Sequence, residues 1–402
     1  MTTMLLVHGT GVRSGYEEDL ALVRERVGAH VPGITVAACH WADEALDLRA
    51  DLHMGGASIP TGRFARGEEQ TDDPWIALWG ALYRDSLYEL RLLAVLPGDA
   101  DIPADPETIA EELAALRTTL RRFSPSSALD GLLATIGIAT RFAEACGDVA
   151  AAEPLEQMIA AAVQPPDLVR SAVARAVVAQ ALASRQSDGG YSRAMVDADL
   201  RDSVVTRLSV ELSGRTSDRG AVDLLKQGVG WLVSQGATWY LRRDAAVATH
   251  FAFPFSGDVM RYQRDGDPIR DFVRAQIAAC PPPVIILAHS LGGVIGFDLL
   301  NLHDLSGQVS GLITVGSQAP LLYELDVLEG RRFGEPLPPS FPRWLNCYDQ
   351  RDMLSFVGAK LFPDRITDRE VDNRQPFPQA HNAYWANHRV WDAIASWLER
   401  EP

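Results

Sequence analysis

Four cysteines among 402 residues (Cys39, Cys146, Cys280 and Cys347), none in C-x-x-C spacing, are too scattered for a disulfide framework or a thiolate zinc site. Cys39 and Cys347 fall in apolar stretches read as strands, where a free thiol acts as a small hydrophobe. Positive charge is also scarce. The 37 basic residues face 53 acidic ones, a formal charge of -16. Nucleic-acid binding needs phosphate neutralisation and a polybasic anchor needs attraction to anionic lipid, so the balance argues against both. Transient contact of a local apolar patch with lipid stays open. The chain has no run of 18 apolar residues, which excludes a conventional membrane span. Its opening, MTTMLLVHGTG, has no basic region ahead of the apolar stretch, so no signal peptide is read. The expected compartment is the cytoplasm, with export by a route that reads no N-terminal signal left open. There is no fixed internal period and no metal-ligand spacing of His, Asp and Glu, so neither a repeat array nor a metal is expected. The glycines near 290–296 are followed by no Gly-Lys-Ser/Thr, so they form no phosphate loop and no cofactor is expected.

What is present is an ordinary globular composition, 47% hydrophobic and 22% charged. The length suits one large domain, or a core plus a sizeable insertion. Short apolar runs occur at Thr3–His8 and Ile34–His40, flanking a helical stretch, and again at Val284–Ala288, Leu312–Val315 and Trp344–Tyr348. Strands apolar throughout and separated by helices predict a mainly parallel sheet with helices on both faces. A last amphipathic helix is marked by Val390, Trp391, Ile394, Trp397 and Leu398. Between the two sets of strands, from Pro74 to Ala248, helical patterns dominate. Asp105-Pro106-Glu107 and Ser127-Ala128 read as helix starts and Gly189-Gly190 as a break. The expected organisation is an α/β core of residues 1–45 and 250–402, a helical insertion over 46–249, and a short Pro-rich cover loop at 318–342. The insertion is either an ordinary helical subdomain or a cap over a site. Its most apolar part, Gly228–Leu241, carries Trp231, Trp239 and Tyr240 and reads as a buried helix, or as one that faces lipid or substrate.

The stretch VIILAHSLGGVIG carries the first chemical signal. A buried strand ends near Ala288, a helix begins near Leu291, and Ser290 sits at the corner. Ala288, Gly292 and Gly293 are the small residues a strained turn demands. A serine hydroxyl needs a base to take its proton and donors aimed at the oxygen that becomes negative. The amide of Leu291, opening the helix, suits the second task. VHGTGV after the first strand stands where another such donor would come from.

Together these segments resemble an α/β-hydrolase of the lipase and esterase type. LLVHGTGV is similar to that family's oxyanion loop and AHSLGGVIGFDLL to its nucleophile elbow, with Ala for the usual first Gly. The resemblance covers about the first 45 and the last 150 residues. It implies an α/β-hydrolase fold, an oxyanion hole made by the amides of Thr10 and Leu291, and a shaping role for His8. Acid and base follow the serine in that fold. Asp352 matches the acid in N-x-Y-D-x-x-D, with Asp349 as competitor expected to brace the turn. His381 matches A-H-x-x-Y-W, with His388 as competitor expected inside the last helix. His289 reads as a wall residue, and His40, Trp41 and Asp43 as strand caps or borders of the site. The insertion stands well before the elbow, not after the following strand as in the commonest lipase layout, so no substrate specificity carries over.

The resulting expectation is a serine hydrolase acting on carboxylic esters, acyl or lipid esters foremost, through Ser290, His381 and Asp352. A thioesterase or amidase passes through the same intermediate and stays open. So does a non-catalytic scaffold that binds a partner through its insertion. No protein partner is named by the sequence.

Overall fold

The computed structural model describes residues 2–9, 15–41, 73–96, 105–214 and 259–400. They divide into two compact units. The first holds residues 2–9, 15–41, 259–373 and 377–400; the second holds 73–96, 105–214 and Arg374–Pro376.

The first unit is built on six parallel strands in the order β2-β1-β3-β4-β5-β6. These are β1 (Thr3–Val7), β2 (Thr35–Cys39), β3 (Val284–His289), β4 (Val309–Val315), β5 (Arg343–Tyr348) and β6 (Ile366–Glu370). Parallel neighbours cannot be joined by a tight turn, so helical crossovers cover both faces. On one face Met4, Leu6, Leu287 and Ile313 pack with α1 (Tyr16–His30) and a C-terminal helix, His388–Glu399. On the other Leu5, Val7, Ile286 and Leu312 pack with helices Asp267–Ala279 and Leu291–Leu302. Side chains alternate across a strand, and here both sets are buried, which is why β1 and β3 read as unbroken apolar runs. The two edges differ. β2 is largely half-exposed. β6, sequence ITDRE, is mostly polar and was not among the expected strands, because an edge strand needs no continuous apolar run.

The chain leaves β1 for β2 on one side, and β3 lies on the other side of β1. The crossover helices α1 and Leu291–Leu302 lie on opposite faces. The strand order therefore reverses at β1 and β3, and it is at the carboxyl ends of strands beside such a reversal that open parallel sheets bind ligands.

The second unit contains α2 (Pro74–Leu82), α3 (Tyr88–Val95), α4 (Pro106–Arg121), α5 (Ser127–Thr135), α6 (Ala139–Ala151), α7 (Glu153–Ala161), α8 (Pro166–Ser187) and α9 (Ala198–Leu212). Asp105 and Ser126 cap α4 and α5 by accepting from the Thr108 and Leu129 amides, at the two starts expected from sequence. The long α8 stops just before Gly189, whose φ is 73°. Its Arg175 forms a wholly buried pair with Glu89, Nε to Oε2 at 2.7 Å and Nη2 to Oε1 at 2.6 Å. Arg201 on α9 lies over the Trp79 ring at 4.3 Å and donates to the Gln375 side-chain oxygen at 2.8 Å, where Tyr83 donates as well. Those bonds explain why Arg374–Pro376, placed with the core by sequence, belong to the helical unit. Among the described residues no helix is long and apolar enough to cross a membrane. The Gly228–Leu241 stretch lies outside them.

The remaining helices of the first unit are α10 (Asp267–Ala279), α11 (Leu291–Leu302), α12 (Ala319–Glu324), α13 (Gln379–Asn382) and α14 (His388–Glu399).

Candidate active site

β3 ends at His289 and α11 begins at Leu291, so the chain reverses through Ser290 alone. Ser290 has φ 57° and ψ -124°, a left-handed conformation that costs a non-glycine residue about 1–3 kcal/mol. Close packing enforces it. A Cβ on Gly292 would collide with the Val7 carbonyl oxygen and lie 2.7 Å from that of His8. One on Gly293 would lie 2.7 Å from Ser317 Cβ. The Ser290 amide donates to the Val315 carbonyl at 3.0 Å, tying the turn to the end of β4. Ser290 is buried, and its hydroxyl makes no hydrogen bond to the described residues.

Asp352 follows β5 and His381 sits on α13; the fold brings them together. His381 Nδ1 lies 2.8 and 2.9 Å from the two carboxylate oxygens of Asp352. A carboxylate only accepts, so Nδ1 carries the proton and the lone pair of the neutral ring is on Nε2. Asp352 also accepts from the Leu354 amide at 2.9 Å and the Tyr384 hydroxyl at 2.8 Å. The pair packs onto Gly316, the residue after Val315, at φ 60°. A Cβ there would lie 3.0 Å from Asp352 Oδ2 and 3.3 Å from His381 Cε1. His289, the neighbour of Ser290, donates from Nε2 to the His381 carbonyl at 2.7 Å, with ring centroids 4.7 Å apart. The Ser290 turn and the Asp352–His381 pair thus both lie at the carboxyl ends of β3 and β4.

The competitors lie in other settings. Asp349 accepts from the amides of Arg351 (2.8 Å) and Asn373 (2.6 Å) and so braces the turn; burial raises its carboxyl pKa above the usual range. His388 opens α14 and bonds to Arg26 at 2.9 Å and His30 at 3.3 Å. His8 donates from Nδ1 to the Gly9 carbonyl at 2.7 Å and stacks on Trp41, whose indole N–H donates to the His8 carbonyl at 2.9 Å. His40 stacks on Tyr16. These contacts press Gly9 against the elbow, where a Cβ would lie 2.6 Å from Ser290 Cβ. Leu291 is buried as the first residue of α11, and the first amides of a helix lack acceptors within it. Thr10 and Asp43 lie outside the described residues.

Two roles are not visible in the sequence pattern. Tyr384 joins Asp352 to Asp349, donating to the Asp352 carboxylate and accepting from the Asp349 amide at 3.0 Å; burial, then Asp352, hold its hydroxyl pKa well above the ordinary value. Its place three residues after His381 was the only local hint. His289 is the second, with its pKa lowered to about 3 by burial and then by His381. Among the described residues no group of three or more His, Cys, Asp or Glu could hold a metal ion. No protein-family model, no curated protein and no solved structure matches this chain.

The arrangement offers a strained serine, a histidine with an oriented lone pair, a carboxylate to balance the imidazolium, and a helix N-terminus. That set suits nucleophilic acyl transfer.

Proposed function

We propose that the protein is a serine hydrolase of carboxylic esters, on an α/β-hydrolase fold whose helical unit is a cap. The observation that carries this reading is the Asp352–His381 pair seated on Gly316, beside a serine held at φ 57° where the sheet order reverses. Ser290 Oγ attacks the ester carbonyl carbon while His381 Nε2 takes its proton. The tetrahedral oxyanion is met by the amides of Leu291 and, by the family resemblance, Thr10. His381 then protonates the leaving alkoxide, which departs and leaves an acyl-Ser290 enzyme. Water, deprotonated by the same nitrogen, releases the acid and restores Ser290. Asp352 holds the imidazole tautomer and balances the imidazolium. The Trp-rich stretch Gly228–Leu241 supports an acyl or lipid ester as substrate.

Hydrolysis of p-nitrophenyl esters of increasing acyl length, with and without micelles, tests the reading. Ser290→Ala and His381→Ala are expected to lose at least about 1,000-fold in kcat, and His388→Ala less than about threefold. Activity that disappears in His388→Ala and survives in His381→Ala overturns the base assignment. A preference for the shortest soluble esters removes the lipid substrate.

A further inference from the structure

His289 takes no part in the proton transfers above, yet its surroundings fix both its tautomer and its charge. Nε2 lies 2.7 Å from the His381 carbonyl oxygen, and a carbonyl only accepts, so Nε2 carries the proton. Burial keeps the ring neutral far below pH 7. Its one N–H is therefore committed to the backbone of the base.

The base needs such a tie. His381 sits on α13, which spans only four residues, Gln379–Asn382. The last four carbonyls of a helix have no partner inside it, which in α13 means all of them, and the Ala383 amide just past its end reaches the Ala380 carbonyl only at 3.4 Å. Side chains from elsewhere in the unit supply donors. Asn373 Nδ2 donates to the Ala380 carbonyl at 2.7 Å, and His289 Nε2 to the carbonyl of His381 itself. Asn373 is in turn held by Asn387 at 2.8 Å. His289 differs from Asn373 in being covalently next to the nucleophile. It lies on β3, which is paired on both sides by β1 and β4 in the middle of the sheet. Its bond is a direct link between the strand that fixes Ser290 and the turn that carries His381.

We infer that His289 is a positioning residue for the base, clamping the His381 turn to the nucleophile strand through its Nε2–H. This rests on the hydrolase reading, and a misplacement of about 1 Å in such a constellation costs on the order of 100-fold in rate. His289→Phe keeps a ring and loses the donor. His289→Gln loses the ring and keeps an N–H at the same reach, and His289→Asn brings its N–H one atom short. If His289 only filled space, Phe would be tolerated better than Gln. The clamp predicts the reverse order.

The experiment measures kcat and KM on a p-nitrophenyl ester and the rate of fluorophosphonate labelling of Ser290 for the wild type and the three variants, with thermal melts alongside. The expected result is kcat and labelling rate reduced about 10- to 100-fold in His289→Phe and His289→Asn, KM within about threefold, and His289→Gln within about fivefold of wild type. A wild type that labels beside a His289→Phe as fast as it overturns the clamp alone. If His289→Phe does not fold, Gln against Asn decides, and equal rates in those two overturn it as well. A wild type that does not label removes the nucleophile reading, and the clamp with it.

Discussion

Removing a single hydroxyl, by Tyr384→Phe, tests how Asp352 is held. Tyr384 is fully buried, donates to Asp352 Oδ2 at 2.8 Å and accepts from the Asp349 amide at 3.0 Å. Phe fills the same space, so no ring-sized cavity forms and the cost is that of two hydrogen bonds. A bond to a charged acceptor contributes about 1.5–3 kcal/mol, and a buried amide left without a partner costs about 1–3 kcal/mol. Relaxation recovers part of that sum, and we expect a loss of about 3 kcal/mol. Urea unfolding measures it as a lower midpoint at unchanged slope. Tyr348→Phe is the control, because its hydroxyl bond to Glu370 is long (3.3 Å) and exposed; its loss stays under about 0.5 kcal/mol. A loss below about 1 kcal/mol in Tyr384→Phe would refute the reasoning, since Asp352 would then be held without that hydroxyl.

In the helical unit, Glu89→Gln leaves the buried Arg175 charge unbalanced and costs about 3–5 kcal/mol, whereas Glu89→Leu with Arg175→Met recovers most of it in a double-mutant cycle read by urea unfolding. Gly9→Ala drives a methyl into the elbow and lowers ester turnover at least about tenfold; Gly28→Ala, with open space around it in α1, stabilises by about 0.5–1 kcal/mol and leaves turnover unchanged. His289 has a pKa of about 3 in the folded protein against about 6.5 when free, so the unfolded chain binds the proton first. Its contribution to stability is complete above about pH 6.5 and is lost as pH falls toward about 3, at no more than about 1.4 kcal/mol per pH unit. Urea midpoints measured from pH 7 to 4 therefore fall less steeply in His289→Gln than in the wild type.

The central strands were legible because a strand covered on both faces has to be apolar nearly throughout, as VIILA in β3 and MLLV in β1 are. ITDRE gave no such signal, because β6 is an edge and its pairing with β5 is set by backbone bonds that any side chain permits. The helix starts read at Asp105-Pro106-Glu107 and Ser127-Ala128 were legible because capping is local, although the cap of the second is Ser126. The candidate trio was picked out for a similar reason: each member stands in a short pattern of its own, in an order that the family resemblance makes meaningful. The groups that orient the trio were not. Tyr384 reaches Asp352, and His289 reaches the His381 carbonyl 92 positions away, only through packing. Arg374–Pro376 illustrate the same limit. A stretch reading Arg-Gln-Pro has no local preference for the helical unit, and its place there comes from Arg201 and Tyr83.

The central claim is that Ser290 is a nucleophile activated by His381. A fluorophosphonate probe, with the adduct located by peptide mass spectrometry, tests it most directly. The account predicts one adduct, on Ser290, formed in the folded protein, abolished by Ser290→Ala or prior unfolding and slowed at least about 100-fold in His381→Ala. Folded protein that forms no adduct at Ser290, or labels as fast without His381, would contradict it.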